Sequence, residues 1–289
     1  MSISGTKKNI NLFLMDGDPA GRFKCSLLNW TGVGYKIPRS YFPQCKDMPH
    51  MKQSGVYMLF GSDRNGDDVI YIGQAVVRKN GEGLSNRINE PHDSIDFWTD
   101  AVMFTTTNDA LGPTEVCYLE NKFCKMAKDA KRYIVKNGNE PSIGNLTEEK
   151  EAEMDEFIDY AVLITGVMGY KVFEPLVSPA ELASDTKTFH FKSNKFDAKA
   201  IITSEGIVLL KGSQISPTTV NSCPQFTINM REKHSAHIAD WTTTEDILFP
   251  SPSSAASFVS GSSVSGNDMW VLKDGTPLKD VNKAFCLNN

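Results

Sequence analysis

Long apolar runs, paired cysteines and an excess of positive charge are all missing from this sequence of 289 residues. No stretch approaches the roughly 20 apolar residues that a membrane-spanning helix requires. The apolar run at 11–15 is too short for the core of a signal peptide. We therefore expect a cytoplasmic protein with no membrane partner.

The cysteines are few and scattered, at positions 25, 45, 117, 124, 223 and 286. Because no Cys-x-x-Cys pair occurs, neither a zinc ribbon nor a disulfide framework is indicated. His234 and His237 have ligand-like spacing with Cys223 upstream, but the three match no known zinc pattern. We interpret them as solvated polar residues.

The net charge of −5 argues against a protein whose whole surface binds nucleic acid. The charge is unevenly distributed, however. Residues 1–145 hold 18 Lys and Arg against 16 Asp and Glu, whereas residues 146–289 hold 12 against 19. A nucleic-acid-binding face is therefore expected in the first half.

What the sequence does contain is a strong hairpin signal between residues 55 and 73. The runs GVYMLF (55–60) and VIYIG (69–73) are rich in β-branched and aromatic residues, and the segment between them is rich in Gly, Asp and Asn. Each run carries one tyrosine, Tyr57 or Tyr71, and is bounded by a glycine. The simplest interpretation of the two phenols is an aromatic pair between neighbouring strands.

Two helices are predicted after this hairpin. The first starts near Leu84 and bears Arg87. The second spans 114–136, with Pro113 suited to its first turn and Gly138 to its end. It has one apolar stripe, formed by Val116, Leu119, Phe123, Ala127, Ala130 and Ile134.

Glu120 lies inside that stripe, about 40° from Val116 on the helical wheel. A carboxylate on a buried face is costly unless it is paired, protonated or bound to metal. A pair with a neighbouring Arg or Lys is one explanation, and a metal ligand is another. The opposite face carries Lys122, Lys125, Lys128, Lys131 and Arg132, which is consistent either with a phosphate-binding surface or with a solvated helix face.

Gly55-Val56-Tyr57 and Tyr71-Ile72-Gly73 resemble the two halves of the GIY-YIG nuclease motif, and the resemblance covers roughly residues 52–141. It implies catalytic roles for Tyr57, Tyr71, Arg87, Glu120 and Asn139, with Asn137 as the alternative asparagine and His92 as a further neighbour of the site. It also implies that Glu120 binds Mg²⁺ or Mn²⁺, that Arg87 stabilises the transition state, and that Tyr57 acts as general base while Tyr71 orients the water. Gln74 departs from the Lys that several relatives have directly after the second half.

The expected fold class is α+β: a GIY-YIG-like domain with a small mixed or antiparallel sheet flanked by helices, and a small C-terminal α+β domain. We predict an N-terminal β-hairpin extension at 1–50 packed on the nuclease domain, and a nuclease domain at 51–177 that ends with an acidic helix at 147–169 and a strand at 170–175. A linker follows at 178–187. Residues 188–289 are expected to form a small domain of the uncharacterised kind often found after GIY-YIG domains, with a meander at 188–213, a helix near 227–239 and a short helix at 251–259 that has cap chemistry at its start.

The predicted function is that of a metal-dependent DNA endonuclease. The alternative is a non-catalytic nucleic-acid-binding or assembly module that retains the fold.

Overall fold

The computed structural model describes residues 7–45, 48–79, 81–90, 95–138, 141–177 and 188–281. The chain divides into two compact units, 1–175 and 176–289. The predicted linker at 178–187 lies outside the described residues.

The strands of unit 1 are β1 (Asn11–Leu14), β2 (Phe23–Ser26), β3 (Gly32–Pro38), β4 (Gly55–Ser62), β5 (Asp68–Ala75), β6 (Trp98–Thr106) and β7 (Ile134–Val135). They form a seven-stranded sheet with the order β1-β2-β3-β6-β4-β5-β7. The pairing is antiparallel except for the parallel pair β5 and β7. The predicted N-terminal hairpin supplies β1 and β2, so it belongs to the same sheet as the tyrosine hairpin.

Helices cover both faces of this sheet. Since side chains alternate along a strand, Val56 and Met58 face α2 (Pro113–Ala130) and α3 (Glu148–Val167), whereas Tyr57 and Leu59 face the other side. That second side is covered by α1 (Leu84–Asn89) and a 3₁₀ segment, Arg39–Cys45. Tyr57 therefore points to the face that also carries α1.

The long helix is shorter than the sequence predicts. It ends at Ala130 because Lys131 adopts a left-handed conformation with φ 54°. Gly138 is therefore not its stop, and Ile134 leaves the apolar stripe, with 44% of its surface exposed. Ile134 and Val135 instead form β7, a conformation that β-branched residues favour.

The acidic helix α3 is confirmed, and Thr147 caps it by accepting a hydrogen bond from the backbone N of Lys150. The strand predicted at 170–175 is wrong. Gly169 takes φ +100° and turns the chain, and Tyr170 then stacks on Phe60 with ring centroids 3.9 Å apart. Aromatic packing, rather than strand pairing, holds this segment.

The strands of unit 2 are β8 (Thr188–Ser193), β9 (Phe196–Thr203), β10 (Gly206–Leu209), β11 (Ile238–Ala239), β12 (Thr242–Thr243) and β13 (Ile247–Phe249). The predicted meander forms part of a four-stranded sheet with the order β13-β10-β9-β8. A core centred on Trp270, Phe249 and Phe258 lies against the sheet. Both units are therefore mixed α+β, which confirms the expected fold class at this level.

The helices of unit 2 are α4 (Gln225–Lys233), α5 (Pro252–Ser260) and α6 (Gly266–Met269). The helix predicted at 227–239 begins earlier and stops at Lys233, after which a 3₁₀ turn leads into β11. The cap chemistry predicted for α5 is confirmed, because Ser251 and Ser254 form a reciprocal capping box.

Candidate active site

The two motif tyrosines lie on the same face of the hairpin. In the register of β4 and β5, Tyr57 is opposite Gly73, and Leu59 is opposite Tyr71, so the phenols are diagonal neighbours. Their ring centroids are 6.2 Å apart and the rings are tilted by 37°. A Cβ atom at position 73 would come within 2.5 Å of the Tyr57 hydroxyl oxygen. The ring of Tyr57 therefore occupies space that only a glycine at position 73 leaves available.

The environment of the phenols is apolar but not electrostatically neutral. The Tyr57 hydroxyl is buried, and its ionisable neighbours are Tyr71, Arg87 and Glu120. Burial raises the pKa of Tyr57 and that of Tyr71. The Arg87 guanidinium lowers both of these pKa values, whereas the Glu120 carboxyl raises both. Four of the five predicted side chains, those of Tyr57, Tyr71, Arg87 and Glu120, thus lie within electrostatic reach of one another.

Arg87 is positioned by the tight entry of the chain into α1. The backbone N atoms of Leu84 and Ser85 donate to the carbonyl oxygens of Gln53 (3.2 Å) and Met51 (3.0 Å). At Gly83 a Cβ atom would collide with the same backbone segment. Because these contacts join α1 to the start of β4, Arg87 is held beside Tyr57 rather than at a remote surface.

Glu120 approaches from α2, on the other face of the sheet, and is half-buried. Burial raises the pKa of its carboxyl from the ordinary 4.5 to about 6, against the opposing effects of a hydrogen bond from Gln74 and of the Arg87 charge. The Gln74 Nε2 atom also lies 3.2 Å from Cys117 Sγ, one turn earlier on α2. Gln74 therefore links the end of the second motif to the helix that carries Glu120.

The pairing along the outer edge of β5 ends close to Gly73. β7 pairs only with Val69 and Ile70, and the Asn137 side chain continues the pairing. Its Oδ1 accepts from the backbone N of Ile72 at 3.1 Å, and its Nδ2 donates to the Ile72 carbonyl at 2.6 Å. In the described parts of the chain, the paired edge thus reaches Ile72, directly before Gly73.

Of the two asparagine candidates, the structure describes only Asn137. Its side chain supports the second motif through the backbone of Ile72. Asn139 and the neighbouring candidate His92 lie outside the described residues. The role predicted for Asn139 therefore stays a prediction.

The basic face of α2 is partly engaged within unit 1. Lys122 Nζ lies 3.5 Å from Asp155 and 4.8 Å from the centre of the Tyr118 ring. Arg132 Nε donates to the Glu174 carbonyl at 2.7 Å. Lys125 is exposed. Lys122, and Arg132 just beyond the end of α2, thus contact other groups of unit 1. The phosphate-binding surface and the solvated helix face both stay predictions.

Comparison with known proteins identifies one part of the chain. Residues 189–282 match the DUF4357 family, described as a domain of unknown function. The expectation of an uncharacterised C-terminal domain is confirmed. DUF4357 covers a third of the chain and contains none of the candidate site residues, so the resemblance at 52–141 stays a prediction. No curated protein and no solved structure matches the chain.

Within the described ranges, no three His, Cys, Asp or Glu side chains cluster as a metal-binding group. No helix among the described residues is both long enough and apolar enough to span a bilayer.

Sequence reasoning missed three participants in this region. Gln74 enters only as a departure from the family pattern, although its amide bonds Cys117 and Glu120. Arg78 and Glu90 are joined in an ion pair beside Arg87. The i,i+3 spacing of Arg87 and Glu90 was the available signal for the second pair.

Proposed function

We propose that unit 1 hydrolyses phosphodiester bonds of DNA through a GIY-YIG-type site, with Mg²⁺ or Mn²⁺ as cofactor. The observation that carries this proposal is the convergence of two phenols, one guanidinium and one half-buried carboxyl at the end of the Gly73 motif. Each of these four groups corresponds to a separate residue that the resemblance to GIY-YIG nucleases implies for the site. A purely structural role explains the tyrosine pair. It does not explain Glu120, because burial opposes the ionisation of this carboxyl.

Hydrolysis adds water across one P–O bond and needs stabilisation of the negative charge that develops on phosphorus-bound oxygens. Arg87 supplies a fixed positive charge for this purpose, since an arginine stays protonated at any physiological pH. Tyr57 and Tyr71 present two hydroxyl groups on one face, where they hold and orient the attacking water. Tyr57 accepts the proton of that water as general base when its phenol is ionised.

The residues present fit a divalent cation of the expected type. Mg²⁺ is commonly held by one or two carboxylates together with substrate phosphates and water, so Glu120 is a sufficient protein ligand in that mode. Glu120 would hold such a cation, which would supply polarisation of the scissile phosphate and a lowered pKa of nearby water. Gln74, by bonding to Glu120, keeps this carboxyl turned towards the end of β5.

One observation favours a second candidate, a binding or assembly module without turnover. Burial raises the pKa of both phenols, so in the free protein they are neutral at pH 7 and serve as hydrogen-bond groups rather than bases. Such a module retains Arg87 and the tyrosines for binding a phosphate backbone. The two candidates differ in one measurable property, metal-dependent cleavage.

The deciding experiment is cleavage of supercoiled plasmid and of a branched synthetic DNA by the full chain, with Mg²⁺, with Mn²⁺ and with EDTA. Glu120→Gln is compared with Glu115→Gln, which removes a carboxylate from the first turn of the same helix. We expect metal-dependent nicking by the intact chain and by Glu115→Gln, and its loss in Glu120→Gln. Equal nicking by both variants would contradict the site, and binding without nicking by the intact chain would favour the module.

A further inference from the structure

A cleft of about 280 Å³ opens beside the candidate active site. Its walls are the segment that follows the second motif and the helix α1, and it is lined by Gln74, Val76, Val77, Arg78, Asn86 and Arg87, among others. One wall is tied to the sheet, since the backbone N of Val77 donates to Ser54 Oγ at 3.1 Å. The cleft is thus a formed feature of unit 1, with an arginine on each side.

A single carboxylate joins these two arginines. Glu90 Oε1 lies 2.5 Å from Arg78 Nη2, and Glu90 Oε2 accepts from Arg87 Nη1. Each guanidinium therefore takes a different oxygen of the same anion. Arg78 also lies 3.6 Å from Glu82 Oε2, so the group contains two positive and two negative side chains.

These ion pairs are accessible to solvent and hence to a competing anion. The side chains of Arg78, Arg87 and Glu90 are 52%, 34% and 28% exposed. Ion pairs at such positions contribute little to stability, and arginine binds carboxylate and phosphate with the same forked geometry. A phosphodiester has two non-bridging oxygens that share one negative charge. The Glu90 carboxylate likewise has two oxygens that share one charge.

We propose that a backbone phosphate of DNA displaces Glu90 from Arg78 and Arg87, so that Arg78 is a substrate-binding residue and Glu90 is an internal competitor. This inference rests on the proposed function, because it takes the anion to be part of the same nucleic-acid strand that reaches Tyr57 and Glu120. It extends the contact surface beyond the catalytic set along the cleft.

The test measures binding in EDTA, where cleavage does not interfere. Anisotropy of a fluorescein-labelled DNA duplex is followed with the intact chain, Glu90→Gln, Arg78→Gln and the double variant. Two control variants remove the same charges elsewhere in unit 1. Asp96→Asn removes a carboxylate that pairs with Arg39 at 2.7 Å, and Arg64→Gln removes an arginine from the turn at the far end of the β4–β5 hairpin.

We expect Glu90→Gln to tighten binding by about fivefold or more, and Asp96→Asn to change it by less than about twofold. Arg78→Gln is expected to weaken binding and to reduce the slope of log K against log salt by about 0.9, the effect of one lost phosphate contact. Arg64→Gln should leave that slope unchanged. In the double variant the tightening of DNA binding by Glu90→Gln should be smaller, because Arg78, the arginine that this change releases, is absent.

The proposal is overturned if Glu90→Gln binds no more tightly than Asp96→Asn, if its gain persists in full without Arg78, or if no variant binds DNA. Circular dichroism of each variant verifies that it is folded, and Arg78→Gln tests the proposal by itself if Glu90→Gln does not fold. Tightening by Glu90→Gln without any metal-dependent nicking would support the cleft and reject the nuclease. Metal-dependent nicking without any effect of Glu90→Gln on DNA binding would support the nuclease and reject the displacement of Glu90.

Discussion

Replacing Glu120 by Gln is expected to make the protein more stable at neutral and alkaline pH while it abolishes the proposed activity. Burial raises the pKa of this carboxyl from 4.5 to about 6, which means that the folded state binds its proton more tightly than the unfolded state does. Ionisation therefore destabilises the fold. The penalty is absent below about pH 4.5, grows as the pH rises to about 6, and is fully present above that value.

The size of the effect follows from the same two values. Their difference of about 1.5 corresponds to about 2 kcal/mol in the free energy of unfolding of unit 1 at pH 8. Gln has nearly the same shape as Glu and no charge, so Glu120→Gln removes the penalty. The remaining hydrogen bond with Gln74 is available to the new amide.

The assay is urea unfolding of the full metal-free chain and of Glu120→Gln at pH 5 and at pH 8, followed by tryptophan fluorescence. We expect the variant to gain up to about 2 kcal/mol at pH 8 and much less at pH 5. Glu115→Gln is the matched control, because the loss of a first-turn carboxylate costs about 0.3–1 kcal/mol through the helix dipole. If Glu120→Gln is less stable than the intact chain at pH 8, the carboxyl is held by favourable structural interactions and the reasoning is wrong.

Two further predictions concern the phenols and the motif glycine. The rate of metal-dependent cleavage should rise through pH 6 as Glu120 ionises, and should keep rising by about tenfold per pH unit from pH 7 to 9 because Tyr57, with its raised pKa, is deprotonated only in part. Tyr57→Phe should lose the alkaline rise, and a variant that keeps it would exclude Tyr57 as the base. Gly73→Ala should displace the Tyr57 ring, cost about 1–3 kcal/mol in thermal or urea unfolding and lower cleavage. Gly138→Ala, where a Cβ meets nothing within 4 Å, should do neither, and equal effects of the two changes would refute the packing argument.

Local chemistry made several elements predictable. The β4–β5 hairpin follows from two β-branched runs around a polar turn, and α5 follows from its serine cap and first-turn proline. The start of α2 at Pro113 was equally clear. Its end was not, because no glycine or proline marks Lys131, which takes the left-handed conformation although it carries a side chain.

The elements that were predicted wrongly depend on distant partners. Ile134 continues the helical stripe by spacing, yet it pairs with Val69 on β5. The segment after Gly169 has the composition of a strand, but Tyr170 stacks on Phe60 instead. In both cases long-range packing overrides a local preference that amounts to a fraction of a kcal/mol per residue.

For the candidate site, the sequence by itself determined four candidates: two tyrosines on paired strands, an arginine on the next helix and a glutamate on an apolar stripe. Only the tertiary structure decided how they relate. The register places Tyr57 over Gly73, α2 brings Glu120 to Gln74, and α1 brings Arg87 and Glu90 to Arg78. Those relations arise from side chains that are far apart in the chain, and residue spacing carries no information on contacts between separate elements.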